Sequence, residues 1–328
     1  MMKYGNEHSK FSLKYYNQIE TKDVSWLWYP YIPQGKITIL QGDPGEGKTT
    51  LMLQIAAILT KGGKLPDGQK GVEPCNVIFQ GAEDGASDTI KPRLEQAGAD
   101  CSRIAFIDPE DGTALSLGDE RFERAVSETG AKLLIIDPLQ AFLYASSDSG
   151  KKDNLRSLFG RLSKIAEENN CAVVLIGHMN KAGNGKSIYR GLGSIDVAAI
   201  ARSVLMIGRD PEDPYRRIMV PIKSSLAPEG PAFAFYLDPV TGFRWLGSCN
   251  YTADELLSGT AHTETKMEKA KDVLQAILYD HDLPGRVVYE KMSDLGVGKR
   301  TIDAAKKELG ITVYRQDDMW YWHLENQE

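Results

Sequence analysis

Residues 42 to 49 read Gly-Asp-Pro-Gly-Glu-Gly-Lys-Thr, a spacing that suits one piece of chemistry, the cradling of a phosphate chain. Glycines let a loop curl until its backbone N–H groups point inward at an anion, and the N-terminus of a following helix adds partial positive charge. Gly42, Asp43, Pro44, Gly45, Glu46, Gly47, Lys48, Thr49 and Thr50 form the expected nucleotide-contacting set. Lys48 is expected to neutralise the β and γ oxygens and the Thr49 hydroxyl to ligate magnesium. The apolar run Lys132 to Asp137, KLLIID, ends in an acid, as expected of a strand whose last carboxylate orients a magnesium ion and its water. Thr49 and Asp137 are therefore the expected metal ligands, and ATP with Mg2+ the expected cofactors. In Gly81-Ala82-Glu83-Asp84, Glu83 is the candidate base that polarises the attacking water, with Asp84 second to it. The alternative use of either carboxylate is to cap the helix running through Ile90 and Leu94.

These groups need a scaffold that brings strand ends together, and the chain supplies one. Lys36 to Gln41 is a strand entering the glycine-rich loop, and Leu51, Ile55 and Ile58 at helical spacing follow it. Short, β-branched apolar runs recur at Asn76 to Gln80, Arg103 to Ile107, Lys132 to Ile136, Ala172 to Ile176 and Ser203 to Ile207. Helical spacing returns at Leu155, Leu158, Leu162 and Ile165. Strands alternating with helices imply an α/β fold, a mainly parallel sheet covered on both faces. From Ile218 to Trp245 closely spaced strands broken by Pro228, Gly230, Pro231 and a turn at Asp238 to Gly242 predict antiparallel hairpins closing that sheet. Trp26 to Pro33 mixes aromatics with prolines and reads as an extended arm. Its Trp26, Trp28, Tyr29 and Tyr31 suit either covering the sheet's edge or packing on a neighbouring subunit or an adenine.

The expected division is an N-terminal arm over 1–35, a nucleotide domain over 36–247, a linker over 248–264 rich in Ser, Thr, Gly and Asn, and a small domain over 265–328. In the last, a helical run from Met267 to Leu278, a break at Pro284-Gly285, helices over Val287 to Met292 and Arg300 to Leu309, and a hairpin turning at Gln316-Asp317-Asp318 follow the order of a winged helix. Trp320 and Trp322 are expected in the core of that hairpin. Residues 263–328 hold ten Lys and Arg against thirteen Asp and Glu, so weak DNA contact and protein docking stand equal as uses.

The chain has 328 residues, a net charge of −6 and four cysteines, Cys75, Cys101, Cys171 and Cys249. The cysteines form no C-x-x-C pair and read as reduced core residues rather than zinc ligands. The net charge excludes a surface coated in positive charge, though not a local basic loop. Lys3, Asn6, Glu7, His8 and Lys10 interrupt every apolar run near the N-terminus, so neither a signal peptide nor a membrane span is expected, and cytoplasm is the expected compartment. Between His178 and Arg190 the residues Lys181, Lys186 and Arg190 sit among glycines with no acid, a composition suited to gripping a nucleic-acid backbone or simply to a solvated loop.

The order and type of these motifs over residues 26 to 245 resemble the RecA-like hexameric motor ATPases, in particular the RepA-type replicative helicases of plasmids and their phage-borne AAA-type relatives. The marks are the phosphate loop, GAED at 81–84, LLIIDPLQAF at 133–142, VVLIGHMNK at 173–181, YRGLGS at 189–194, AIARSV at 199–204 and PIKSS at 221–225. DnaB-type helicases and the KaiC and RadA proteins are more distantly similar. The resemblance implies a RecA-like P-loop NTPase core, a ring of six identical subunits, and single-stranded DNA as partner. It implies that His178 senses the γ-phosphate, that Arg202 is the finger given to the neighbouring subunit's ATP, and that Lys223 is its companion cation. It places Lys181, Lys186 and Arg190 in a DNA-binding loop, with Lys151 and Lys152 in the second pore-facing loop. The leading expectation is an ATP-driven motor on single-stranded DNA serving plasmid, phage or mobile-element replication, with replication or loading proteins docking on the C-terminal domain. The alternatives are a non-motor RecA-like ATPase, such as a recombination mediator or helicase loader, and an ATP-gated winged-helix transcriptional regulator.

Overall fold

Period-2 burial in the apolar runs decides which residues meet which layer. In the strand Leu133–Asp137, Leu133 and Ile135 join one buried cluster while Leu134 and Ile136 join another on the opposite face. The computed structural model describes residues 13–68, 73–109, 112–144, 155–179, 199–258, 266–278 and 282–324. It divides into two compact units, up to residue 261 and from 262 onward.

In the first unit the strands are β1 (Trp26–Trp28), β2 (Ile32–Pro33), β3 (Ile37–Gly42), β4 (Val77–Gly81), β5 (Ile104–Ala105), β6 (Leu133–Asp137), β7 (Ala172–His178), β8 (Ser203–Arg209), β9 (Arg216–Ser224), β10 (Ala232–Asp238) and β11 (Gly242–Cys249). The helices are α1 (Lys48–Lys61), α2 (Lys91–Gln96), α3 (Glu120–Thr129), α4 (Leu139–Tyr144), α5 (Leu155–Asn169) and α6 (Ala253–Ser258). Among the described residues the main sheet runs β11-β10-β9-β8-β3-β7-β6-β4-β5. The block from β8 to β5 is parallel, and β9, β10 and β11 add on antiparallel. This is the α/β sheet with closing hairpins that the strand spacing predicts.

One face of the sheet is covered by α1, whose Leu51, Met52, Ile55, Ala56 and Leu59 pack with Leu40, Phe79, Ile135 and Ile176. The other is covered by α3 and α5 through Phe122, Val126, Leu158, Phe159 and Leu162. Burying such side chains stabilises the fold by about 1.5–3 kcal/mol each before conformational entropy is charged. The helix α1 stops at Gly62, whose φ of 69° lets its N–H reach back to Ile58 and Leu59 carbonyls.

Four expectations change. The segment from Trp26 is not a separate arm: Trp28 and Tyr31 are 1% exposed and pack with Phe233, and Trp28 also meets Trp245. Trp28 and Tyr31 are thus core and cover the sheet, one of the two expected uses, whereas Tyr29 is 43% exposed. Second, the expected linker contains α6, whose Leu256 packs with Met206, Ile218, Val220 and Ala234. Its low aliphatic content hid a helix that needs one anchor. Third, the run Arg103 to Ile107 pairs only over Ile104–Ala105, since β5 is the sheet's edge and meets β4 alone. Fourth, Trp320 is 57% exposed, whereas Trp322 is buried.

The second unit runs α7 (Lys266–Leu278), β12 (Leu283–Pro284), α8 (Gly285–Asp294), α9 (Lys299–Glu308), β13 (Thr312–Gln316) and β14 (Met319–His323). Its sheet order is β12-β14-β13. Ala270, Leu274, Leu278, Val288, Met292, Ile302, Ala305 and Trp322 form its core.

Candidate active site

Parallel strands all present their C-terminal ends at one edge, and a crevice there is where open α/β sheets place ligands. The register makes this concrete: Gly42 pairs with His178, and Gly81 pairs with Asp137. The loop after β3 turns on Gly45 and Gly47, with φ of 79° and 86°, conformations that cost a side-chain-bearing residue free energy. At Gly47 a Cβ would also stand 2.9 Å from a Leu237 methyl, and at Gly42 it would lie 2.4 Å from the Ile207 carbonyl oxygen. The loop therefore sits close against β8 and β10.

Lys48 begins α1 and is 5% exposed. Its Nζ donates to the carbonyl oxygens of Gly42 and Asp43, both at 2.8 Å. Burial pulls its pKa below the ordinary lysine value, with Asp137 the first of the carboxylates opposing that shift. The Thr49 hydroxyl donates to Asp137 Oδ2 at 2.6 Å. Burial raises the Asp137 carboxyl above the ordinary value, against the Thr49 hydrogen bond and the Lys48 charge. A buried carboxylate beside a hydroxyl is a hard-oxygen donor pair that a magnesium ion bound to phosphates would suit. When bound, the ion would neutralise charge on the β and γ oxygens. These two residues would hold it.

Glu83 follows β4 and has a side chain 65% exposed; its Oε1 stands 4.0 Å from His178 Nε2. His178 Nδ1 is buried without a hydrogen-bond partner among the described residues, as is Gln140 Oε1. The amide of Gln140 lies 3.5 Å from the His178 carbonyl oxygen. Two unsatisfied polar atoms and the largely exposed Glu83 carboxylate thus lie around His178, beside the phosphate loop, where buried polar groups need partners. Asp84 points elsewhere, into an ion pair with Arg93 at 3.1 Å. Neither acid caps the following turn, Ala86–Ile90, whose N-cap is Gly85 with no side-chain cap.

Arg202 and Lys223 lie at the opposite edge. The Arg202 amide donates to the Ile37 carbonyl at the start of β3, and five residues at about 3.3 Å each separate that end from Gly42 by about 16 Å. Arg202 is exposed. Lys223 pairs in register with Val204, donates to Ala201 O at 2.8 Å and Ala199 O at 3.4 Å, and has its pKa lowered by burial and then by Arg202. The structure thus groups Lys48, Thr49, Glu83, Asp137 and His178 at one edge and Arg202 with Lys223 at the other. Lys181, Lys186 and Arg190, like Lys151 and Lys152, lie outside the described residues.

Sequence reasoning missed a second feature of the loop. Glu46 has a side chain 13% exposed, with Oε1 3.4 Å from Arg209 Nη2 and Oε2 3.1 Å from Arg217 Nε, an ion pair whose angles do not make it a hydrogen bond. Arg217, on β9, is 5% exposed and also donates to the Pro214 carbonyl at 2.6 Å. An acid inside an anion-binding loop calls for compensating cations, and that oddity was the available signal. Arg217→Ala is expected to cost about 1–3 kcal/mol, since Glu46 loses one of two cations but keeps Arg209, and to weaken nucleotide binding. Adding Glu46→Gln should recover part of both losses. Thermal unfolding and nucleotide titration of the two singles and the double check this; equal losses in double and single would show no coupling.

A family profile described as AAA domain matches residues 8–184. DNA repair protein RadA of Streptococcus pneumoniae is 28% identical over 151 residues, 45% of this chain and 31% of that protein. The protein of the same name from Halalkalibacterium halodurans is 27% identical over 154 residues, covering 46% and 30%. The chain thus spans under a third of the length of these curated relatives. Among solved structures, the RadB recombinase has a TM-score of 0.44 at 19% identity, covering 65% of this chain and 91% of that one. A KaiC-like protein from Pyrococcus horikoshii has a TM-score of 0.46 at 21% identity, covering 65% and 90%.

Proposed function

The chain belongs to the AAA-domain family and is a RecA-like P-loop ATPase, and from that membership we propose that it is a motor on single-stranded DNA, working as a ring of identical subunits. The observation that carries the reading is the split of the functional residues between two sheet edges. Arg202 lies about 16 Å of strand away from its own phosphate loop, too far to serve its own nucleotide. In a ring, that edge of one subunit faces the phosphate edge of the next, so Arg202 and Lys223 complete a neighbour's site. A cation delivered in this way is worth about 10³–10⁵ in turnover. The segment bearing Lys181, Lys186 and Arg190 follows His178 in sequence, which would couple the γ-phosphate to a DNA strand. The order helix, strand, helix, helix, hairpin over residues 266–324 supports a winged helix appended to the motor.

The test is steady-state ATPase without DNA, with single strands and with duplex, at fixed salt and over protein concentrations spanning assembly. The rate should rise with protein concentration and again with single strands. Arg202→Ala should be inactive alone and partly rescued in mixtures with Lys48→Ala, since each variant keeps what the other lacks. A flat response to concentration and DNA, with no rescue in verified mixed assemblies, would overturn the reading. The curated relatives are named DNA repair proteins, which favours a second reading, a non-motor DNA-binding ATPase. Single-strand stimulation without strand displacement would decide for it.

A further inference from the structure

Between α8, α9 and β14 of the second unit lies a cleft of about 580 Å3. Its floor is Trp322, 3% exposed, with Tyr289 edge-on to it at 5.2 Å. Its rim is Met319 and Trp320, 48% and 57% exposed. A tryptophan more than half in water at the mouth of an apolar cleft is what binding surfaces, rather than cores, display. Gly285 opens the cleft, since a Cβ there would stand 2.6 Å from Trp322 Nε1.

The charges at the cleft have one sign. Arg286 and Lys306 line it, and no Asp or Glu does. The Lys306 Nζ lies 4.2 Å over the Trp322 ring, and neither cation is in an ion pair among the described residues. Outside the lining, Glu308 pairs with Lys271 and Asp318 with Arg315, while Asp282 and Asp303 accept from the Tyr314 and Tyr289 hydroxyls and Asp303, three residues before Lys306, partly offsets that lysine's charge.

We propose that this cleft is a docking site for a short acidic peptide of a partner protein, one large apolar side chain seated on Trp322 against Trp320, with flanking carboxylates on Arg286 and Lys306. Charge complementarity selects the occupant. A nucleic-acid backbone would run its phosphates past exposed Asp317 and Asp318 at the hairpin tip and along a module with thirteen acids to ten bases, whereas a peptide needs only the two cations. Selection of the full-length chain against a displayed library of random linear peptides should yield sequences with an aromatic or aliphatic residue flanked by Asp or Glu. The selected peptide should bind the full chain with an affinity that falls as salt rises. Trp320→Ala and Arg286→Glu, both exposed positions, should each weaken it on the order of tenfold or more while leaving the circular dichroism spectrum and basal ATPase unchanged. A consensus without acids, or an affinity unmoved by both substitutions, overturns the proposal. So does binding of a DNA oligonucleotide that the same substitutions abolish, which would make the cleft a nucleic-acid site.

Discussion

Lys48→Ala should reduce ATP turnover roughly 10²- to 10³-fold or more and remove the stabilisation that Mg-ATP confers on the folded chain. The side chain is buried and holds the Gly42 and Asp43 carbonyls at 2.8 Å. When a triphosphate enters, this ammonium is a buried cation at the loop that no carboxylate pairs among the described residues, unlike Arg217 on Glu46, and burial makes its attraction for the β and γ oxygens strong. The variant loses that charge in ground state and transition state alike, so binding and turnover both suffer. Removing a partly desolvated charge also relieves its own burial penalty, so the nucleotide-free melting temperature should change little. Melting curves with and without Mg-ATP, beside turnover measurements, separate a damaged site from a damaged fold. Wild-type turnover in the variant would show that the loop does not bind the reacting phosphates.

Glu83→Gln should keep nucleotide binding and lose hydrolysis by about 10²–10⁴-fold, the usual contribution of a positioned general base. Glu83 stands at the site's edge, 4.0 Å from His178 Nε2 and largely exposed, so its carboxylate is free to take a water on entry of the nucleotide. The amide keeps the shape and loses the basicity. Asp84→Asn is the internal control, since that acid is held by Arg93 in an exposed ion pair worth about 0–1 kcal/mol. Its turnover should stay near wild type. Trapped ATP in single-turnover experiments with Glu83→Gln would complete the assignment. The reverse pattern, with Asp84→Asn dead and Glu83→Gln active, would move the base by one residue.

The contrast between these neighbours shows how far local pattern reaches. GAED after an apolar run places two acids at a strand end, but chain neighbours on a turn point in different directions. Only the position of Arg93, one turn into the next helix, separates them. Glu46 teaches the same lesson over a longer range. Its partners Arg209 and Arg217 lie on strands that are more than 160 residues away in the chain and adjacent to the loop in space, a relation no spacing encodes.

The phosphate loop, the acid-tipped strand and the parallel sheet were legible in the sequence alone because each depends on local physics: glycines that permit positive φ, a lysine at a helix start, and β-branched runs of strand length. Strand order, the burial of Trp28 and Tyr31, the helix hidden at Ala253–Ser258 and the exposure of Trp320 were decided by tertiary structure. So was the separation of Arg202 and Lys223 from the residues at the other sheet edge. These depend on which surfaces meet, and side chains of the same type are driven into the core or left in water according to what packs across from them.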